Sequence, residues 1–345
     1  MTGAKTLGHF LEHVRNNQDA LHGPNRAMTS CRMHGLTSLT AASGVLIAVV
    51  AHGLVGISLV WDKILLRKKG MQSLVSYVFW LGAMSVLTVL LIPFGFHFPS
   101  WKPIAIAFAS AFADMAAVYF YYAALKAGEA SQELAAMGGF TPVATLLFSI
   151  PLLGAQLDGQ LAGFILMTAG SFVMFVGEKL PLRKMLPLIV AAAVLFGLSN
   201  VLEKVVFNQV GFITGYVFYG VGMFLASFGL LLPPSWRKQI LHPTQQPRPR
   251  SRLGYFANRF VAGVGAFLIV FAVSLTHPAL VEAISGTRYV VIFLGAYAIT
   301  RWRPQWFKED FTKGALVVKI LGTVLVVSGL VLAGLHGARG GGGPS

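Results

Sequence analysis

Charge is scarce in this chain. Of its 345 residues 11% are Asp, Glu, Lys or Arg and 55% are hydrophobic, whereas soluble domains carry roughly 25% charged residues. A soluble globular domain is excluded on that ground. Acid is scarcer than base: 12 Asp and Glu stand against 27 Lys and Arg, a net charge of +15. No basic stripe lies on a soluble domain, so nucleic acid is not an expected partner. The cations read instead as loop residues that set membrane orientation. Cys31 is the only cysteine, which excludes an intrachain disulfide and a thiolate metal site. A Gly-rich phosphate loop, a nucleophile elbow and a metal constellation are also missing. "HFLEH" at 9–13 fits a zinc-peptidase spacing, but it lies in a tail with no fold around it to supply a further ligand. Neither an enzymatic activity nor a cofactor is expected.

What is abundant is apolar sequence, in runs of about 20 residues that suffice to cross a hydrocarbon core of about 30 Å as a helix. Ten segments are read, at 43–66, 72–95, 103–126, 131–153, 159–177, 186–208, 211–233, 259–278, 283–302 and 314–336. The expected fold class is an all-α membrane protein with ten transmembrane helices. Residues 1–42 read as an N-terminal tail and 337–345 as a flexible Gly-rich one. Residues 1–30 hold no apolar signal-peptide core, so the first segment is expected to serve for insertion. Residues 234–258, "PSWRKQILHPTQQPRPRSRLGYFAN", read as a basic, solvated and largely unstructured loop, and Arg259 is counted with its cations.

The lysines and arginines crowd the links after segments 1, 3, 5, 7 and 9. They run from Arg67, Lys68 and Lys69 through Lys179 and Arg237 to Arg301 and Lys313, while the other links hold Lys102 alone. The positive-inside rule then puts the basic loops in the cytoplasm and both termini outside, in a cell membrane.

"LVWDKILL" (59–66) and "VLEKVVF" (201–207) each seat an acid and a lysine side by side among aliphatics, 141 residues apart. At the same shift Gly70 meets Gly211 and Pro93 meets Pro234. "GFILMTAGSFV" (163–173) matches "GTVLVVSGLVL" (322–332), pairing Gly163 with Gly322 and Gly170 with Gly329. Residues 43–177 and 178–336 are thus read as two homologous five-helix units. Five is odd, so the second must be inserted upside down. Inverted repeats of this kind are characteristic of secondary transporters. Small residues every seven positions on segments 5 and 10 mark those helices as the seam where the halves pack.

At these residues the chain resembles the drug/metabolite transporter superfamily, in its tandem EamA-type form, over about residues 45–335. The resemblance is carried by "YFYYAALKAGEAS" (119–131), "GGFTPVATLLFSI" (138–150), "LAGFILMTAGSFVMFVG" (161–177), "LSNVLEKVVF" (198–207) and "ILGTVLVVSGLVLAG" (320–334). It departs where the family usually has a glutamate after Leu-Gly: Ala155 and Ala296 stand there. The resemblance implies a transporter fold and, as the commoner direction, export; it does not name a substrate.

Several residues are candidates for the work. Asp114 stands near the middle of segment 3, where a charge costs about 2.5–3.5 kcal/mol on insertion scales. Tyr121 and Tyr122 follow two turns later on the same helical face. Asp114 reads as a cavity-lining acid for a cationic group or a coupling proton, against the plainer reading of a buried acid that holds helices together. In segment 4, "MGGFTP" (137–142) predicts a kink or an unwound turn at Pro142, with Gly139 beside the substrate. In segment 9, Arg288 with Tyr289 suits a carboxylate or phosphate, or else neutralises Glu282. Two gates are expected: Lys63 with Glu133 on the cytoplasmic side, and Lys204 with Glu282 outside. Asp62 and Glu203 are the adjoining acids. Snorkelling of helix-end charges to the headgroups is the alternative.

The expected function is secondary transport of a small polar or amphipathic metabolite by alternating access between the repeats. Proton coupling would run through Asp114 or Glu133. The alternatives are a flippase for lipids or lipid-linked carriers, and a channel or accessory protein without transport. The expected partners are the lipid bilayer and a small-molecule substrate, cationic, anionic or zwitterionic, with the protein a monomer or homodimer.

Overall fold

The computed structural model describes residues 26–66, 73–127, 130–154, 161–176, 182–242, 249–302 and 313–339. Within those helices the side chains of Lys63, Glu133 and Tyr289 lie outside the described part. Every described element is helical. In chain order they are α1 (Arg26–Leu66), α2 (Leu74–Met84) continued by a 3-10 segment (Ser85–Phe94), α3 (Trp101–Ala127), α4 (Ala130–Leu153), α5 (Leu161–Val176) and α6 (Leu182–Val210). There follow α7 (Phe212–Gly229), α8 (Pro234–Leu241), α9 (Pro249–Leu275), α10 (Pro278–Ile284), α11 (Gly286–Trp302) and α12 (Lys313–Arg339).

Six helical stretches have the length and apolarity to cross a membrane: Ser43–Asp62, Leu74–Phe94, Trp101–Ala124, Met185–Val210, Phe212–Gly229 and Leu253–Leu275. Outward faces carry large apolar side chains at helical spacing, such as Leu46, Val50, Ile57 and Trp61 on α1 and, on the shorter apolar stretch of α12, Val317, Leu321, Val324 and Val331. A water-soluble monomer rarely shows so much contiguous apolar surface. In a bilayer the same faces meet lipid.

The loop expected over 234–258 is a correction. Pro234 opens α8 at its first turn, where its missing N–H is harmless. Ile240 is buried, and Trp236 stacks on Tyr119 of α3 at 5.3 Å, so two apolar side chains four apart fix a short helix inside a polar composition. α9 then starts at Pro249, ten residues before the expected segment. At the other end of α6 the connection to α7 is one residue, Gly211, at φ +74°, a left-handed conformation that glycine adopts without strain.

The broadest helix contacts join α5 to α12, α3 to α6 and α1 to α9. α4 lies on α6, α11 on α1, and α2 on α7. This pattern survives exchange of the helices before residue 177 with those after it. The α1–α9 contact maps onto α6–α3 and the α11–α1 contact onto α4–α6, while α5–α12 and α2–α7 map onto themselves. The broadest contact without a counterpart is that of α3 with α7. α3 lies along α7, but the matching helices α9 and α2 meet only weakly.

The α5–α12 seam shows why small residues recur there. A Cβ on Gly170 would stand 2.7 Å from the carbonyl oxygen of Gly322, and one on Gly329 2.7 Å from that of Gly163. The two backbones touch, antiparallel, at the same four glycines that the sequence match aligned, but crosswise, Gly170 on Gly322 and Gly163 on Gly329. Gly170→Val should lower stability by about 1–3 kcal/mol through overpacking, read as a lower unfolding temperature in detergent, whereas Gly263→Val, at an open position on α9, should leave it nearly unchanged.

Candidate functional site

A cavity of about 660 Å³ lies inside the bundle, within the roughly 300–1,000 Å³ range of small-molecule sites. Asp114, Tyr122 and Thr141 line it from the first half of the chain, and Glu203, Tyr219 and Glu282 from the second. One flank is apolar. Leu87 and Leu90 of the 3-10 segment and Phe260 and Val264 of α9 line the cavity while also lying exposed on the outer surface. The weak contact between α2 and α9 therefore leaves a lateral opening toward lipid.

One end of the cavity is closed around Asp62, which is fully buried near the end of α1. Its carboxylate accepts from Tyr77 of α2, from Asn258 and from Arg259 of α9, and from Tyr122 of α3 at 3.3 Å. Arg259 also donates to the Tyr122 hydroxyl at 3.2 Å. Its guanidinium lies 5.2 Å from the Tyr77 ring centroid and 5.7 Å from that of Tyr255, positions suited to cation–π attraction. Four helices are tied to a single buried ion pair. Asn258 adds a hydrogen bond to the Ser58 carbonyl at 3.2 Å.

The acids at the other end are differently served. Ser274, near the far end of α9, accepts from Lys204 at 2.9 Å through its carbonyl, a rise of about 22 Å from Arg259 at 1.5 Å per residue. Lys204 thus turns from Glu203, its neighbour in sequence. Glu282 accepts from Asn200 at 3.1 Å, and the Tyr219 hydroxyl donates to Asp114 at 2.7 Å. Glu203 is 3% exposed, and its Oε2 has no hydrogen-bond partner among the described residues. All three acids line the cavity and lie within electrostatic reach of one another.

The structure brings Asp62, Asp114, Tyr121, Tyr122, Glu203, Glu282 and Arg288 to this one cavity. Arg288 donates through Nε to Nδ1 of His52 at 2.7 Å, and His52 Nε2 lies 2.9 Å from the Val281 carbonyl. With a carbonyl at Nε2, that nitrogen carries the proton and Nδ1 accepts. Lys204 and Glu282 are not bonded to each other in this conformation. The Lys63 and Glu133 side chains and that of Tyr289 lie outside the described part.

Two expectations are corrected here. α4 runs unbroken through Pro142. Pro142 still denies the Gly138 carbonyl its helical donor, and it is Gly138 that lines the cavity, whereas a Cβ on Gly139 would meet the Phe172 ring at 3.1 Å. Arg259, counted with a cytoplasmic loop, is a buried cavity residue. Between α10 and α11 the chain tightens at Ser285, whose backbone stays right-handed helical at φ −55°, ψ −21°, and Arg288 N bonds the Ser285 carbonyl at 2.9 Å. Glu282 and Arg288 flank this tightened turn. Asn258, Tyr77 and Tyr219 gave no signal in the sequence beyond being polar groups in apolar surroundings.

Residues 42–176 match the EamA-like transporter family. A crystal structure of a protein 17% identical in sequence aligns at a TM-score of 0.58, over 87% of this chain and 98% of its own, one of 23 solved chains that match. At that identity the likeness shows the fold alone, and its span takes in both halves. No curated protein matches the chain. The chain is an integral membrane protein whose residues 42–176 are similar to the EamA-like transporter family.

Removing one partner of a buried ion pair strands the other. Arg259→Met should cost about 3–5 kcal/mol and the double variant with Asp62→Asn should recover most of that loss. Unfolding of the two single variants, the double variant and the parent in one detergent gives the coupling directly.

Proposed function

We propose that the protein is a secondary transporter of a small polar or amphipathic metabolite, working by alternating access between two inverted five-helix repeats of the drug/metabolite transporter type. The observation that carries this reading is the position of the cavity. It is walled by both halves, and its acids stand at matched positions near opposite ends. The exchange symmetry of the helix contacts supports the repeat, since two halves with the same pairing scheme can trade roles. On this reading the Asp62–Arg259 pair latches the cytoplasmic end, to which the basic loops belong, with Lys63 and Glu133 beside it. Lys204 and Glu282 meet when the outer end closes. Asp114, with Tyr121, Tyr122, Arg288 and Tyr289, faces the substrate, and a proton taken by Asp114 or Glu133 couples the cycle. Export follows from the family resemblance.

A specific observation favours a second reading, a flippase for lipids or lipid-linked carriers: the lateral opening between the 3-10 segment and α9. Reconstitution separates the two. In proteoliposomes, concentration jumps of amino acids, amines, nucleosides and sugars should produce saturable movement of one class, reduced at least tenfold by Asp114→Asn. Translocation of fluorescent lipid between leaflets with no solute movement would replace the first reading by the second, and neither activity in folded protein would count against both.

A further inference from the structure

Glu203 stands apart from every other charged group in the cavity. Asp62 has an arginine, an asparagine and two tyrosines. Asp114 has Tyr219, and Glu282 has Asn200. Glu203 is as buried as these, opens onto the same cavity, and its Oε2 has no hydrogen-bond partner among the described residues. The adjacent lysine is engaged with the Ser274 carbonyl. A carboxylate held this way in a hydrophobic bundle is costly unless something pairs with it.

The two halves show what is missing. Asn258 donates to the Ser58 carbonyl at 3.2 Å, and Ser110 donates to the Ser199 carbonyl at 3.1 Å. Ser58 and Ser199 lie one helical turn before Asp62 and Glu203, so Ser110 occupies in the second arrangement the place that Asn258 occupies in the first. The residue after Asn258 is Arg259, which neutralises Asp62. The residue after Ser110 is Ala111, fully buried and without charge. The bundle thus repeats an acid site and omits its cation.

We propose that the cation is supplied by the ligand: the cavity binds an amphipathic organic cation whose ammonium group sits against Glu203. The rings of Tyr216 and Tyr219, stacked 5.9 Å apart, border the same cavity and offer π faces to the cationic group. The charge balance agrees. Arg259 cancels Asp62, and Arg288, held by His52, stands alone against Asp114, Glu203 and Glu282, so acid is in excess. The apolar part of the ligand lies toward Leu87, Leu90, Phe260 and Val264, at the opening to lipid.

This inference rests on the cavity being the transport site of the preceding reading, and it names the substrate class. Three probes with one carbon skeleton test it on the purified full chain: 4-phenylbutylamine, 4-phenylbutan-1-ol and 4-phenylbutyrate. The amine should bind, by calorimetry or thermal stabilisation, at least tenfold more tightly than the alcohol or the acid. Glu203→Gln should remove that preference and Glu203→Asp should keep part of it, which a loss of folding cannot imitate. Preference for the acid, equal binding of all three, binding of none, or an amine affinity untouched by Glu203→Gln would each overturn the proposal. Flux in proteoliposomes is scored separately. Amine binding without amine movement leaves this inference standing and sinks the transport reading, while movement of the acid does the reverse.

Discussion

A charge inside hydrocarbon must be neutralised by something, and the arrangement of this bundle follows from how that is done. Backbone groups are satisfied within helices, and the apolar faces need only lipid. The buried carboxyls at Asp62, Glu203 and Glu282, with the half-buried one at Asp114, are the exceptions. Asp62, Asp114 and Glu282 draw polar groups from other helices, whereas Glu203 Oε2 finds none among the described residues, so the acids decide where helices are tied and where they part. Asp62 ties α1, α2, α3 and α9 into a closed end.

The same constraint explains why the cavity is where it is. Close packing occupies the α5–α12 seam, where glycines let two backbones touch, and the α3–α7 contact, where a Cβ on Gly222 would crowd Ala111 at 2.7 Å. It fails between α2 and α9. There the helix after Met84 tightens into a ten-residue 3-10 segment, longer than such runs usually are, and its side chains border the cavity. A long 3-10 stretch is poorly bonded for its length, which makes it the natural element to repack when the two ends exchange roles on the proposed reading.

Much of this was legible in the sequence because it obeys spacing. The helices follow from apolar run length, and the α5–α12 seam from glycines seven apart. That Asp114 would line a cavity followed from the rarity of acid in such runs. What was not legible depends on contacts between distant residues. Arg259 borders a basic loop, and only the packing of α9 against α1 shows that it faces Asp62 rather than headgroups. Pro142 signals a break that α4 does not make, because the side chains around it keep the helix packed. The tightened turn at Ser285 carries no proline. Trp236 and Ile240 are two apolar residues in a polar stretch, too few to announce α8 without Tyr119 to receive one of them.

The measurement that bears most directly on alternating access is the rate at which a thiol in the cavity reacts from each side of the membrane. In a Cys31→Ser background, Val118→Cys places that thiol on α3, where Val118 lines the cavity. A membrane-impermeant maleimide is added to one side or the other, with and without Arg259→Met to release the closed end. The account predicts reciprocity: releasing the latch raises the rate from the Asp62 end and lowers it from the Glu203 end. Rates that rise together, or a thiol reached from one side alone in both proteins, would contradict it.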